Sequence, residues 1–211
     1  MLYIRFDHGF SRITPGELLF ADDFTDPDLS KKWEITGGEW SAGGGVCTGV
    51  YRLDGGGLIY SRAQIPGDVL LDFYGTILSP CTNDLNFSYR ARGWDFAKND
   101  ADVGYISGLN GWYLGRAGIE RYPELKLQSL CENFTAEPDR EYHIQAGIAG
   151  HDCFLAVDGK MLLTLTDPDP ISAPDCCRVG LGTYCSQIRF RDFRVYRPVL
   201  THVPMHYTAN F

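Results

Sequence analysis

The sequence predicts an all-β fold, a β-sandwich of two antiparallel sheets, on three observations. Short apolar segments recur at intervals of roughly 8–12 residues with glycines between them, the spacing of antiparallel hairpins. No window holds the 3.6-residue period of an amphipathic helix. Aromatic residues at 13% and 24 glycines run above ordinary usage, a pairing that suits strands and tight turns. A chain of 211 residues is long enough to bury one sizeable core. One domain is therefore expected over residues 1–211, with its core at 17–197, an N-terminal arm at 1–16 and a C-terminal tail at 198–211.

The elements follow in order. Leu2, Ile4 and Phe6 alternate with Tyr3 and Arg5 until Thr14-Pro15-Gly16 breaks the pattern, which predicts a short strand or arm. Leu18 to Phe20 enters the sandwich, and Asp26-Pro27-Asp28 turns it. Glycine-separated segments at 33–35, 37–40, 50–53 and 58–60 read as short hairpin strands, and 69–78 as a long strand with Leu71 and Phe73 opposed to Asp72 and Tyr74. On 85–92, Leu85, Phe87, Tyr89 and Ala91 alternate with Asn86, Ser88, Arg90 and Arg92, so one face packs and the other is polar.

A loop over 94–102 leads to residues 105–121, which concentrate rings and glycines and read as two short strands or one broken strand; 122–128 follows as a further strand. Residues 142–148, 153–157 and 160–166 are the next strands, with Asp158-Gly159 between the last two as the strongest hairpin signal in the chain. Strands at 177–182 and 188–196 finish the pattern.

Composition narrows the partners. The net charge is -8 and no basic run occurs, so nucleic acid and an anionic membrane surface are not expected partners. No apolar run approaches the ~18 residues of a membrane span. The N-terminus carries charges where a leader would be apolar, and the expected location is the cytoplasm. Seven irregularly spaced cysteines support neither a disulfide framework nor a zinc site and read as free, mostly buried thiols.

The residue types that bind sugars are aromatic faces and planar polar groups that hydrogen-bond hydroxyls in pairs. Residues 105–121 supply Tyr105, Asn110, Trp112 and Arg116; neighbouring strands add Asp72, Tyr74, Asn86, Arg90, His143 and Gln145. The expectation is one polar, aromatic-edged surface across adjoining strands. Taken singly, Trp112 reads more readily as a core aromatic, Arg90 as a solvated charge and His143 as a structural histidine, and Asn110 can be turn chemistry; their coincidence carries the argument. A homodimer interface formed by the aromatic stretch and terminal arms is a second reading.

Several segments carry a resemblance: Leu19-Phe20-Ala21-Asp22-Asp23-Phe24, the Asp158-Gly159-Lys160 hairpin, Arg178-Val-Gly-Leu-Gly182 and Phe190-Arg-Asp-Phe-Arg-Val-Tyr196. With these the chain resembles the concanavalin A-like lectin/glucanase superfamily. Asp72-Phe73, Tyr105-x-Ser107-Gly108 with Asn110, and Arg191-Asp192-Phe193 make it similar to the YesU-like bacterial family of unknown function, over residues 17–197. The resemblance implies a jelly roll whose concave groove takes a saccharide, here an acidic or rhamnose-containing one.

The Glu-x-Asp-x-x-Glu strand of the superfamily's glucanases is absent, which disfavours a retaining glycosidase. An alternative is a lyase, in which Arg90, Asn110 and Gln145 neutralise a uronate carboxylate while His143 and Tyr105 act as base and acid. The resemblance also implies a place for a structural Ca2+ at Asp22 or Asp23 with Asp192; the other reading makes these turn residues and a surface ion pair. No cofactor is required by any of these readings.

Overall fold

The computed structural model describes residues 2–6, 9–51, 56–113, 115–123 and 127–203. In order along the chain the strands are β1 Leu2–Phe6, β2 Gly9–Asp22, β3 Trp33–Ile35, β4 Glu39–Gly43, β5 Val46–Val50, β6 Gly56–Ser61, β7 Val69–Ile77, β8 Leu85–Ala91, β9 Trp94–Asp95, β10 Asp100–Ala101, β11 Gly104–Trp112, β12 Arg116–Tyr122, β13 Gln128–Cys131, β14 Tyr142–Ala149, β15 Asp152–Val157, β16 Lys160–Thr166, β17 Arg178–Tyr184 and β18 Gln187–Val203. One 3-10 turn, Leu29–Lys31, is the helical element among the described residues.

Sheet one runs β1-β2-β18-β7-β14-β15-β16, with β5 also paired to β18 and β4 to β5; sheet two runs β13-β12-β11-β8-β17-β6-β3. All pairings are antiparallel, and the two sheets form a concanavalin A-like jelly-roll sandwich. β9 and β10 make a separate two-stranded ribbon in what the sequence reads as a loop.

Strand alternation builds the core. Leu71 and Phe73 of β7, Ile144 and Ile148 of β14 and Leu155 of β15 point inward from sheet one, and Phe87, Tyr105, Ile119 and Leu181 point inward from sheet two; all are buried. Burying each such side chain contributes about 1.5–3 kcal/mol. Phe73 meets Phe87 edge to face across the sheets with centroids 5.2 Å apart, and Phe193 packs on Phe73 and Trp33 at 5.4 and 5.5 Å. Phe190 and Phe193 both face inward although they are three positions apart, an odd spacing, because the β7–β18 register shifts between Arg191 and Arg194 and Asp192 takes φ 52°. That bulge resets the pleat. The Asp158-Gly159 hairpin forms as expected: both residues have positive φ and Val157 pairs with Lys160.

Two boundaries differ from the sequence reading. The arm and tail are continuous with the sandwich, since residues 10–15 of β2 pair with 198–203 of β18. There Ile13 covers Leu70, Phe154 and Ala156 on the outer side of sheet one, making a second small core. Residues 7, 8 and 204–211 lie outside the described residues. The strand expected at 122–128 falls at Gln128–Cys131 instead, after Pro123 ends β12, and 124–126 lie outside the described residues. Cys47, Cys153, Cys176 and Cys177 are free and buried, and burial pushes the Cys47 and Cys153 thiols up to about 12.

One buried polar node ties the sheets together. Asp167, just past β16, is 1% exposed; it accepts the Tyr105 hydroxyl at 2.6 Å and the Arg121 guanidinium at 2.9 and 3.2 Å. The same hydroxyl accepts the Ile171 N–H at 3.2 Å. Asp167→Ala would remove the shared acceptor, leaving the tyrosine with only the Ile171 N–H and the partly exposed arginine with the Asp169 carbonyl, and is expected to lower unfolding free energy by about 2 kcal/mol, Tyr105→Phe by about 1–2 kcal/mol. Urea titration of the variants measures both; an Asp167→Ala chain as stable as the parent would remove this node from the account.

Candidate functional site

The outer face of sheet two holds a cleft of about 610 Å³. Such a volume lies within the roughly 300–1,000 Å³ usual for small-molecule sites. It crosses β6, β17, β8, β11, β12 and β13, and the β9–β10 ribbon supplies residues from a further element. The positions that alternate with the core-facing ones make its floor: Leu58, Ile106, Ala101 and Trp112 form an apolar cluster, with Trp94 and Tyr122 packed against it.

Glycines in β11 and β12 make the floor possible. A Cβ at Gly118 would lie 2.6 Å from the Trp112 indole, so only a glycine lets that ring lie down on the sheet. At Gly111 a Cβ would lie within about 2 Å of the Asp84 carboxylate. Between the Gly108–Gly118 and Trp112–Arg116 pairs, β11 carries residues 109, 110 and 111 while β12 carries Ala117 alone. Asn110 absorbs the excess at φ 60°, and its buried amide donates to the Thr82 and Ala136 carbonyls and accepts the Ala136 N–H. The expected turn chemistry is therefore what Asn110 performs, as the pin of a bulge.

Polar groups rim the floor. Glu120 accepts the Trp112 indole N–H at 2.8 Å and the Gln128 amide at 3.1 Å; the Tyr122 hydroxyl donates to both oxygens of Asp100 at 3.0 Å. Burial raises the Glu120 carboxyl above its ordinary value, and Asp100 nearby adds to the rise. Asp84 is pushed up to about 7 by burial, with the Glu120 charge adding to it and a hydrogen bond from Asn86 opposing it. Three buried atoms here have no hydrogen-bond partner among the described residues: Asp84 Oδ1, Asn86 Oδ1 and Trp94 Nε1. Buried polar atoms are almost always satisfied, so a donor and two acceptors left open in one cleft suit a ligand that both gives and takes hydrogen bonds.

The candidates named from sequence divide between opposite faces rather than sharing one surface. Asn86 and Trp112 line the cleft. Asp72, Tyr74, His143 and Gln145 lie on β7 and β14 of sheet one, where Asp72 accepts from Gln145 at 2.8 Å, sits 2.8 Å from His143 Nε2, and His143 stacks on Tyr74 with Arg191 above that ring. Tyr105 is fully buried in the core, and burial pushes its hydroxyl far up.

Arg90 is turned aside by its own positive φ of 44°, and it binds Asp68 at 2.7 Å and the Ile171 carbonyl at 3.0 Å. Alternation along β8 stops there, because the β8–β17 register shifts at that point. Arg116 pairs with Glu132 at 3.1 Å at the surface. The three residues assigned to a lyase step thus lie apart, Tyr105 in the core, Arg90 beside Asp68 and His143 beside Asp72 on sheet one. The calcium set is likewise dispersed in function: Asp22 accepts the Trp33 indole N–H at 2.7 Å and pairs with Lys32, Asp23 caps Thr25, and Asp192 pairs with Arg191 and Arg194. No group of three or more metal-ligating side chains occurs among the described residues.

Sequence reasoning missed Asp84, Trp94, Asp100, Glu120, Tyr122 and Gln128 as site residues. The period-two series Gly118, Glu120, Tyr122 was the available signal, since it places a carboxylate and a ring on the face that glycine leaves open. Asp84 and Trp94 come from outside the long strands and carried no comparable signal.

No protein-family model matches the chain, and no curated protein matches it. Solved structures do. A Bacillus subtilis protein of unknown function with a galectin-like fold superposes with TM-score 0.66 at 11% identity, covering 89% of this chain and 99% of that one. A carbohydrate-binding module, CBM66, from Bacillus subtilis gives TM-score 0.58 at 18% identity over 78% of this chain and 95% of that one. A glycosyl hydrolase family protein from Mycobacterium fortuitum gives TM-score 0.62 at 13% identity over 86% and 100%. The likeness is one of fold.

The Asp84 carboxyl makes stability depend on pH. Between about pH 4, where an ordinary aspartate titrates, and about 7, the folded chain keeps a proton that the unfolded chain has lost, so stability falls as pH rises through that window and levels off above it. Glu120, raised by burial, adds in the same direction, and Asp100 is the further carboxylate beside it. Asp84→Asn is expected to remove a loss on the order of 3–4 kcal/mol between pH 4 and pH 8. Denaturant midpoints of the two proteins across that range check it, and parallel profiles would contradict it.

Proposed function

We propose that the protein recognises a saccharide in the cleft of sheet two. The single observation that carries this reading is the combination of an apolar, ring-bearing floor with three buried, open hydrogen-bonding atoms at its edge. Pyranose rings offer an apolar face for stacking and hydroxyls that donate and accept together. The carbohydrate-binding module among the similar folds supports the reading, as does the resemblance to the YesU-like family, which brings no established activity with it.

The charge in the cleft bears on the ligand. Asp84, Asp100 and Glu120 line it, and the described lining residues include no lysine or arginine. A uronate would meet three carboxylates, which counts against the acidic saccharides expected from sequence and leaves rhamnose-type and other uncharged rings as the better fit.

Trp112→Ala is expected to weaken saccharide binding at least tenfold, about 1.4 kcal/mol, by removing the stacking surface. A glycan panel followed by titration calorimetry on parent and variant tests the reading. If no saccharide in the panel binds the parent, or Trp112→Ala binds as tightly, the cleft is not a sugar site.

Self-association is a second reading, favoured by Leu18, Val199 and Leu200, which stand exposed on paired stretches of β2 and β18. Light scattering at micromolar concentration is expected to show a dimer that Leu200→Lys dissolves; a monomeric parent ends this reading.

A further inference from the structure

The electrostatics of the cleft go beyond a preference for uncharged sugar. Asp84 and Glu120 are both buried, and Asp84 Oδ1 has no partner among the described residues while it lines the cleft. The charged groups that act on the Asp84 and Glu120 carboxyls are themselves anions: Glu120 acts on Asp84, and Asp100 on Glu120. On Tyr122, Asp100 and Glu120 act in the same sense. Collecting three carboxylates in a half-apolar cleft costs free energy, and a charged donor arriving from outside would offset it.

The rings complete the pattern. Trp94, Trp112 and Tyr122 lie in the same cleft, and indole or phenol faces attract ammonium groups most strongly where water is excluded. Carboxylates beside aromatic faces are the complement of a cation carried on an apolar frame. Lys98 acts on Asp100 at the rim, but a neutral hydroxyl, which could satisfy Asp84 Oδ1, would leave Asp84 and Glu120 without a cation.

We propose that the cleft is selective for a saccharide bearing a free amine, a 2-amino-2-deoxyhexose unit, whose ammonium group sits against Asp84 and Glu120 while its ring stacks on Trp112. This inference rests on the saccharide reading of the same cleft. The ammonium group holds Asp84 ionised, so binding in mildly acidic solution, where the sugar amine is already protonated, releases a proton from that carboxyl to solvent; where the amine is neutral, the carboxyl's proton passes to the amine instead. Uronates are rejected by the same charges.

The test compares three probes by titration calorimetry in mildly acidic buffer, where the sugar amines are protonated: a β-1,4-linked glucosamine tetramer, its fully N-acetylated counterpart, and spermidine. Acetylation removes the charge and keeps the ring, whereas spermidine keeps the charge and lacks the ring. The amine tetramer is expected to bind at least tenfold more tightly than either, with proton release visible as a dependence of the heat on buffer ionisation. Asp84→Asn, a near-isosteric change, and Glu120→Gln are each expected to bring the two tetramers within about twofold of one another.

An acetylated tetramer that binds as well as the amine overturns the inference and leaves the saccharide reading standing. Spermidine matching the amine tetramer overturns the saccharide part, and failure of both tetramers to bind overturns the inference together with the reading beneath it.

Discussion

Asp167 at the end of β16 receives the Tyr105 hydroxyl and the Arg121 guanidinium from β11 and β12, so one carboxylate of sheet one fixes the two strands of sheet two that carry the cleft floor. Both strands must serve two faces at once. Toward the core they present Tyr105, Leu109 and Ile119; toward solvent they present Ile106, Trp112 and Glu120. Their relative position is therefore set by packing behind the cleft, and the site inherits its rigidity from the core.

The cleft floor illustrates how small residues shape a strand face. Gly118 and Gly111 are places where a side chain would collide with the Trp112 ring and the Asp84 carboxylate. Removing bulk there lets a ring lie parallel to the sheet, and the Asn110 bulge gives β11 the extra length to bring Trp112 back over Gly118. Glu120 then holds the indole through its N–H. Sequence, backbone conformation and ring orientation form one chain of cause.

Charge is distributed unevenly between the faces. On the outer side of sheet one, Asp72 is met by His143 and Gln145, Glu141 by Arg191, and Asp192 by Arg191 and Arg194. In the cleft of sheet two, the carboxylates face rings, amides and one another. The carboxylates of sheet one are thus met by basic or amide side chains, while in the cleft Glu120 and Asp100 are met by neutral donors and Asp84 Oδ1 by none among the described residues.

Period-two alternation, turn chemistry and glycine spacing are local properties, and the sequence by itself determined them: the all-β sandwich, the Asp158-Gly159 hairpin, the two-faced β8 and the concentration of rings and glycines at residues 105–121. Alternation also put Asn86 on the polar face of its strand. It could not say which sheet a strand joins, because both sheets use the same period. Tertiary structure decided that β7 and β14 pair in one sheet while β8, β11 and β12 pair in the other, which separated His143 and Asp72 from Asn86 and Trp112. It also decided that Arg90 leaves its face at a positive φ and that Asp84 and Trp94 enter the cleft from connecting segments. Long-range pairing and bulges depend on contacts far apart in the chain, and no local pattern encodes them.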